Sequence, residues 1–95
     1  MGIIDNLNKT FDSRIRLGIM SILSVNDSAD FNTMKQLLDL TDGNLASHLR
    51  TLENVGYITA VKQFIGRKPN TRYSISAIGR TAFKEHLSAL EKLIV

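Results

Sequence analysis

Side chains that can form directed hydrogen bonds recur at helical spacing between residues 43 and 54. They are Asn44, Ser47, His48, Arg50 and Thr51. Asn can pair with both acceptor and donor on an adenine edge, Arg can reach guanine or phosphate, and hydroxyl and imidazole groups can bond to either. An ordinary solvated helix surface is the alternative. Asn, Ser and Thr have a lower helix propensity than the residues such a surface favours, so recognition of a nucleic acid is the preferred interpretation.

Positive charge is concentrated in the same part of the chain. The 95 residues carry a net charge of +3. Residues 43–84 hold seven basic side chains against Glu53 alone, whereas residues 1–42 and 85–95 are net negative. A one-sided basic block of this kind is either a solvated face or a surface that binds phosphates.

A second group of cations lies in a predicted turn over residues 65–70. Arg67 and Lys68 stand directly before Pro69, the only proline of the chain, and Arg72 follows. Proline stiffens such a tip, and a rigid cationic tip can enter a minor groove. Charge and proline could instead protect a sheet edge from aggregation, but that role explains three cations less readily than one or two.

Hydrophobic spacing predicts three helices ahead of this turn. The first is capped by Asp12 or Ser13 and ends near Val25. Asn32 caps a second helix over residues 33–39, preceded by an inward-facing Phe31; its predicted buried residues are Met34, Leu37 and Leu38. The third begins after Thr41 or Asp42 and ends at Gly56; its predicted core residues are Leu45, Leu49 and Leu52.

The remaining elements are two strands and a last helix. β-Branched and aromatic residues predict strands over residues 57–64 and 71–75, which form a hairpin with a basic tip. Residues 26–30 are polar and predict a loop. Ser76 caps the last helix, whose apolar stripe comprises Ile78, Phe83, Leu87, Leu90 and Ile94.

Composition excludes several functional classes. There is no cysteine, which removes disulfides, thiolate zinc sites and cysteine nucleophiles. His48 and His86 are the only histidines and lie on different predicted helices, so we predict no enzyme, no metal site and no cofactor. His86 is expected at the surface as a polar residue or at the edge of a dimer. No stretch is apolar enough for a membrane span, and a cytoplasmic protein is expected.

Apolar residues near both ends predict a second subunit. At the N-terminus they need a surface to pack on, and at the C-terminus the stripe continues after a domain of this size has filled its core. Core packing within one chain is the alternative for Phe83 and Leu87. The predicted dimer interface comprises Ile3, Ile4, Leu7, Phe11, Leu87, Leu90 and Ile94.

The order of these elements is a helix-turn-helix followed by a wing, and the chain resembles the small winged-helix transcriptional regulators of the MarR and ArsR type. The resemblance rests on residues 40–49, 52–58, 66–73 and 76–80. It implies an α+β, mostly α fold: a winged helix-turn-helix with a three-helix core, a β-hairpin wing and a C-terminal dimerisation helix. Residues 1–95 would form one DNA-binding domain, with residues 1–12 and 76–95 as dimerisation segments.

The resemblance also implies how such a protein would bind DNA. A homodimer would read an inverted repeat in double-stranded DNA, with helix 43–54 in the major groove and wing 65–72 at the minor groove. Arg67, Lys68 and Arg72 of the wing would join the helix residues in DNA binding. The thiolate metal site of many ArsR-like proteins is missing, and the dimerisation helices that frame a ligand pocket in larger MarR-like members are short here.

We therefore predict a sequence-specific regulator of transcription that represses by occupying its site, because the chain leaves little room for an activation surface. A winged-helix module that binds another protein is the alternative. Such a module should expose apolar residues on helix three or at the hairpin tip, where this sequence carries Asn, Ser, Arg and Lys.

Overall fold

Four α-helices and a three-stranded antiparallel sheet make up the fold. The computed structural model describes residues 2–94, except for the side chain of Ile3. The elements are two short 3-10 helices (Ile3–Asn6 and Lys9–Phe11), α1 (Arg14–Val25), β1 (Ala29–Asp30), α2 (Phe31–Leu38), α3 (Asp42–Asn54), β2 (Ile58–Ile65), β3 (Lys68–Ile75) and α4 (Ala77–Leu93). The sheet order is β1-β3-β2. The predicted winged helix-turn-helix is confirmed. None of the helices within residues 2–94 is long and apolar enough to cross a membrane.

Hydroxyl side chains begin three of the four α-helices, as the sequence predicts. Ser13, Thr41 and Ser76 each accept a hydrogen bond from a backbone N–H three residues on, at 3.2, 3.2 and 2.9 Å. These caps satisfy N–H groups that have no partner inside the helix.

The start of α2 differs from the prediction. Asp30, rather than Asn32, is the N-cap, and its Oδ1 accepts from the Thr33 N–H at 2.7 Å. Hydrogen bonds from the Thr33 side chain and backbone lower the pKa of Asp30. The helix starts earlier than predicted because Ala29 and Asp30 pair with Tyr73 and Arg72 as β1, and α2 then begins directly at Phe31. The predicted loop over residues 26–30 is therefore partly a strand.

The core lies between the four α-helices, the second 3-10 helix and the sheet. Leu45, Leu49 and Leu52 of α3 are buried as predicted, with Met34 of α2. Leu37 is 65% exposed, so its predicted burial is wrong. Because α2 includes Phe31, its inner face is set by residues 31, 34 and 38, and position 37 lies roughly 100° away from the centre of that face.

Phe11 belongs to the core of its own chain, which corrects its prediction as a dimer contact. It is 1% exposed and packs beside Tyr57, Phe83 and His86, with ring centroids 5.5, 5.6 and 5.1 Å away. His86 is also buried, and its Nδ1 accepts from the Asn8 N–H at 3.0 Å. The prediction of His86 as a surface or dimer-edge residue is therefore wrong.

The inner face of α4 shares only Phe83 with the predicted stripe. Gly79, Phe83, His86 and Ala89 are buried, whereas Ile78 is 66% exposed. Gly79 lies directly against the backbone of Tyr57: a Cβ built on it would be 2.7 Å from the Tyr57 carbonyl carbon and 2.8 Å from its Cα. This close approach turns position 79 inward, and Ile78 consequently faces outward.

The hairpin is longer and its turn tighter than predicted. Ile65 pairs with Lys68, which leaves Gly66 and Arg67 as a two-residue turn. Gly66 has a φ of +64°, while φ of Arg67 is negative, as in a type II′ turn with glycine at its first central position. Lys68 and Pro69 therefore belong to β3 and not to the predicted turn over residues 65–70.

Candidate nucleic-acid interface

The outer face of α3 is polar and open. Asn44, Ser47 and Arg50 are exposed, on the side opposite the three buried leucines. The buried stripe fixes the rotation of the helix, and the Thr41 cap fixes where it begins. The face therefore presents an amide, a hydroxyl and a guanidinium to solvent with little bulk around them, which suits an element that must approach base edges closely.

Two other predicted residues of α3 are already engaged within the chain. Thr51 is half-buried, and its hydroxyl donates to the Ser47 carbonyl at 3.2 Å. His48 is half-buried, and its Nδ1 lies 3.0 Å from Nη1 of Arg16 on α1. Burial, and then the charge of Arg16, lower the pKa of His48, so its ring is neutral at pH 7. Within the described part of the chain, no group of three His, Cys, Asp or Glu side chains could hold a metal ion.

The wing carries its cations at the end farthest from the core. Arg67 occupies the turn and Lys68 the first position of β3, and both are exposed. Arg72 is different: it is half-buried in β3, and its Nε donates to Ser28 Oγ at 3.0 Å. The tip therefore offers two exposed cations, and Arg72 connects the base of the wing to the segment before α2.

A chain of amide and carboxylate contacts also fixes the base of the wing. Gln63 Nε2 donates to Asn70 Oδ1 at 3.2 Å, and Asn70 Nδ2 donates to Asp30 Oδ2 at 3.3 Å. Asp30 is the cap of α2, so these bonds join the wing to the helix-turn-helix. These contacts were not among the predicted ones. The signal was available, because a two-residue Gly-Arg turn places Gln63 opposite Asn70.

Apolar side chains also lie open on the wing, against expectation. Val61, Phe64 and Ile65 are 60%, 73% and 60% exposed. Phe64 pairs with Pro69 across the two strands. The hairpin extends past the core at this point, so alternation along the strands no longer buries either face. The prediction that the hairpin tip exposes no apolar residues is therefore wrong, and it no longer argues against a protein partner.

Apart from the buried Phe11, the predicted dimer residues are divided between open and half-buried positions. Ile4, Leu87 and Ile94 are 66%, 42% and 85% exposed, and Leu7 and Leu90 are half-buried. The Ile3 side chain lies outside what the structure describes. Leu93, also at the end of α4, is 41% exposed. The end of α4 and the first 3-10 helix thus leave apolar surface without cover in the single chain.

Known proteins share this arrangement of helices and wing. The family model described as a winged helix DNA-binding domain matches residues 15–94. An uncharacterized protein of Methanocaldococcus jannaschii, MJ0432, is 36% identical over 85 residues, which cover 90% of this chain and 92% of that protein.

Solved structures are similar over nearly the whole chain. A transcriptional regulator homologue from Pyrococcus horikoshii has 37% identity and a TM-score of 0.78, covering 95% of this chain and 94% of the other. YusO of Bacillus subtilis, at 14% identity, shares the fold with a TM-score of 0.82 over 97% of this chain and 64% of its own. The predicted resemblance to winged-helix transcriptional regulators is confirmed, and the chain belongs to the winged helix DNA-binding domain family.

Proposed function

We propose that this protein is a sequence-specific DNA-binding regulator of transcription that works as a homodimer. In this proposal α3 enters the major groove, and Asn44, Ser47, His48 and Arg50 contact base edges or phosphates. The tip of the wing lies at the neighbouring minor groove. Membership of a DNA-binding family supports DNA as the partner. The geometry of α3 and the wing supports the assignment of each to a groove.

The observation that carries the proposal is the division of α3 into two faces. Leu45, Leu49 and Leu52 are at most 1% exposed, so the helix cannot rotate without exposing them. Its opposite face must then remain directed outward, and the wing that carries the cations follows α3 directly in the chain. A fixed outward helix with small polar side chains is the geometry that major-groove reading requires.

Selection of bound duplexes from a random DNA pool tests this function. Enrichment of an inverted repeat with half-sites about one helical turn apart, roughly 34 Å, is the expected result. A protein-binding module is the second candidate, and the exposed Val61, Phe64 and Ile65 of the wing favour it. Selection that enriches no sequence, with equal weak binding to every duplex, would favour that second candidate.

Replacing Asn44 tests direct reading by α3. Asn44→Ala should lower discrimination at a single base position by about 1 to 3 kcal/mol, because a bidentate pair with adenine is lost. The measurement compares the affinities of the selected site and its single-base variants. Asn54→Ala is the matched control, since this exposed asparagine lies at the far end of α3. Equal losses on all sequences would contradict direct readout by Asn44.

Apolar surface at the end of α4 supports the homodimer. Leu87→Asp should shift the sedimentation mass toward that of one 10.6 kDa chain, because a buried charge in the interface would be unpaired. Val25→Asp places the same charge on an exposed apolar residue of α1, outside both predicted dimerisation segments, and should leave the mass unchanged. A protein that sediments as a single chain before any substitution would refute the dimer.

Repression remains part of the proposal through occupancy of the binding site. A dimer bound to an inverted repeat that overlaps a promoter excludes polymerase without any further surface. Transcription in vitro from a template carrying the selected site should therefore fall as protein is added. Since such a protein acts where the DNA is, the predicted cytoplasmic location belongs to the same proposal.

A further inference from the structure

We infer that Arg16 is a positioning residue for DNA recognition: it holds the His48 ring so that Nε2–H is the donor presented outward from α3. This inference rests on the proposed function, because the acceptor for that donor would be on DNA. Arg16 lies on α1 and belongs to none of the predicted DNA-binding residues. It acts through His48.

The guanidinium of Arg16 is held at two points. Its Nε donates to the carbonyl oxygen of Thr10 at 2.6 Å, and its Nη1 lies 3.0 Å from His48 Nδ1. Its backbone N–H donates to Oγ of Ser13, the N-cap, so the residue lies in the first turn of α1. Two bonds from a planar group leave the guanidinium little freedom to rotate.

The chemistry of the pair fixes the position of the histidine proton. Arginine has donors but no acceptor and remains charged, so His48 Nδ1 must accept the hydrogen bond. In the neutral ring the proton then lies on Nε2. Protonation of Nδ1 would remove the acceptor and place a second positive charge against Arg16, which is the charged group that faces the ring from α1.

Nε2 is not fully buried. It has no hydrogen-bond partner among residues 2–94, and no unpartnered side-chain N or O atom in that range is buried. A half-buried ring with one nitrogen bound and the other accessible therefore presents a single donor. Guanine N7 and O6, adenine N7 and phosphate oxygens are acceptors that such a donor can reach from a helix in the major groove.

Two NMR measurements on the DNA-free protein test the structural half. Long-range ¹H–¹⁵N spectra should show His48 Nδ1 unprotonated and Nε2 protonated at pH 7. The titration midpoint of His48 should rise in Arg16→Met and stay unchanged in Arg14→Met, which removes an exposed arginine from the same turn. A proton on Nδ1, or a midpoint that does not respond to Arg16→Met, would overturn the inference.

A double-mutant cycle on the selected DNA site tests the functional half. His48→Ala and Arg16→Met should each lower preference at the same base position by about 3- to 10-fold, the range for one hydrogen bond. In the His48→Ala background, Arg16→Met should cost less than twofold, because Arg16 acts through the ring. Independent losses, or losses at different bases, would refute the positioning role.

Two controls distinguish failure of this inference from a folding defect and from failure of the proposed function. Arg16→Lys retains the charge but replaces the planar guanidinium by a single ammonium group, which cannot bond at both points. It replaces Arg16→Met in the cycle if the latter unfolds, and it should lower preference at the same base. If the wild-type chain enriches no DNA sequence, the proposed function and the DNA role of Nε2 fail together. The NMR result would then still decide whether Arg16 fixes the His48 ring.

Discussion

Gly79→Ala should lower the free energy of unfolding by about 3 kcal/mol, the largest effect we expect from a single methyl group in this chain. The new Cβ would overlap the backbone of Tyr57 rather than a movable side chain. That backbone cannot shift freely, because the Tyr57 carbonyl accepts from the Ser76 N–H at 3.0 Å. Equilibrium unfolding in urea, followed by circular dichroism, measures the change.

Gly43→Ala is the matched control for this experiment. Gly43 also lies in a helix, and a Cβ built there meets nothing within 4 Å. Its replacement should change stability by less than about 1 kcal/mol, the difference in helix propensity between the two residues. Similar unfolding midpoints for the two variants would show that α4 can move away from Tyr57 without cost.

The double substitution Arg67→Ala and Lys68→Ala should produce the largest loss of DNA affinity, about 10- to 100-fold near physiological salt. Both cations are exposed at the wing tip, so their removal leaves the core intact. Each phosphate contact that is lost should also reduce the slope of log affinity against log salt by about 1, because fewer counterions are released on binding. Fluorescence anisotropy at several salt concentrations measures both quantities.

A charge-matched control distinguishes local contact from overall charge. Lys84→Ala with Lys92→Ala removes two exposed cations from α4 and lowers the net charge equally. This control should change the salt slope little, since long-range attraction is screened beyond about 8 to 10 Å. If both double variants lose affinity and slope to the same extent, the wing tip makes no specific phosphate contacts.

Periodicity predicted the parts of the fold that depend on neighbouring residues. The leucines of α3 repeat at helical spacing, and hydroxyl caps at Ser13, Thr41 and Ser76 mark helix starts locally. The outer face of α3 followed directly, because burial of one stripe fixes the opposite one. This is why the exposed polar residues of the candidate site could be named from sequence.

Features that depend on distant partners could not be predicted in the same way. Phe11 lacks cover in its own segment and finds it against Tyr57 and Phe83, residues far along the chain. Arg16 and His48 are 32 positions apart, and only the packing of α1 on α3 joins them. The cap of α2 moved to Asp30 because pairing with β3 extends the chain up to that residue.

The contacts at the base of the wing set a limit on which DNA a bound protein could accept. Gln63, Asn70 and Asp30 connect the hairpin to the cap of α2, so these hydrogen bonds hold the base of the wing against the helix-turn-helix. The spacing between α3 and the wing, and so between the two grooves that they would contact, would then be fixed. A duplex with a different local twist or groove width would have to deform to match it, and stiff sequences would be rejected at base pairs that no side chain touches.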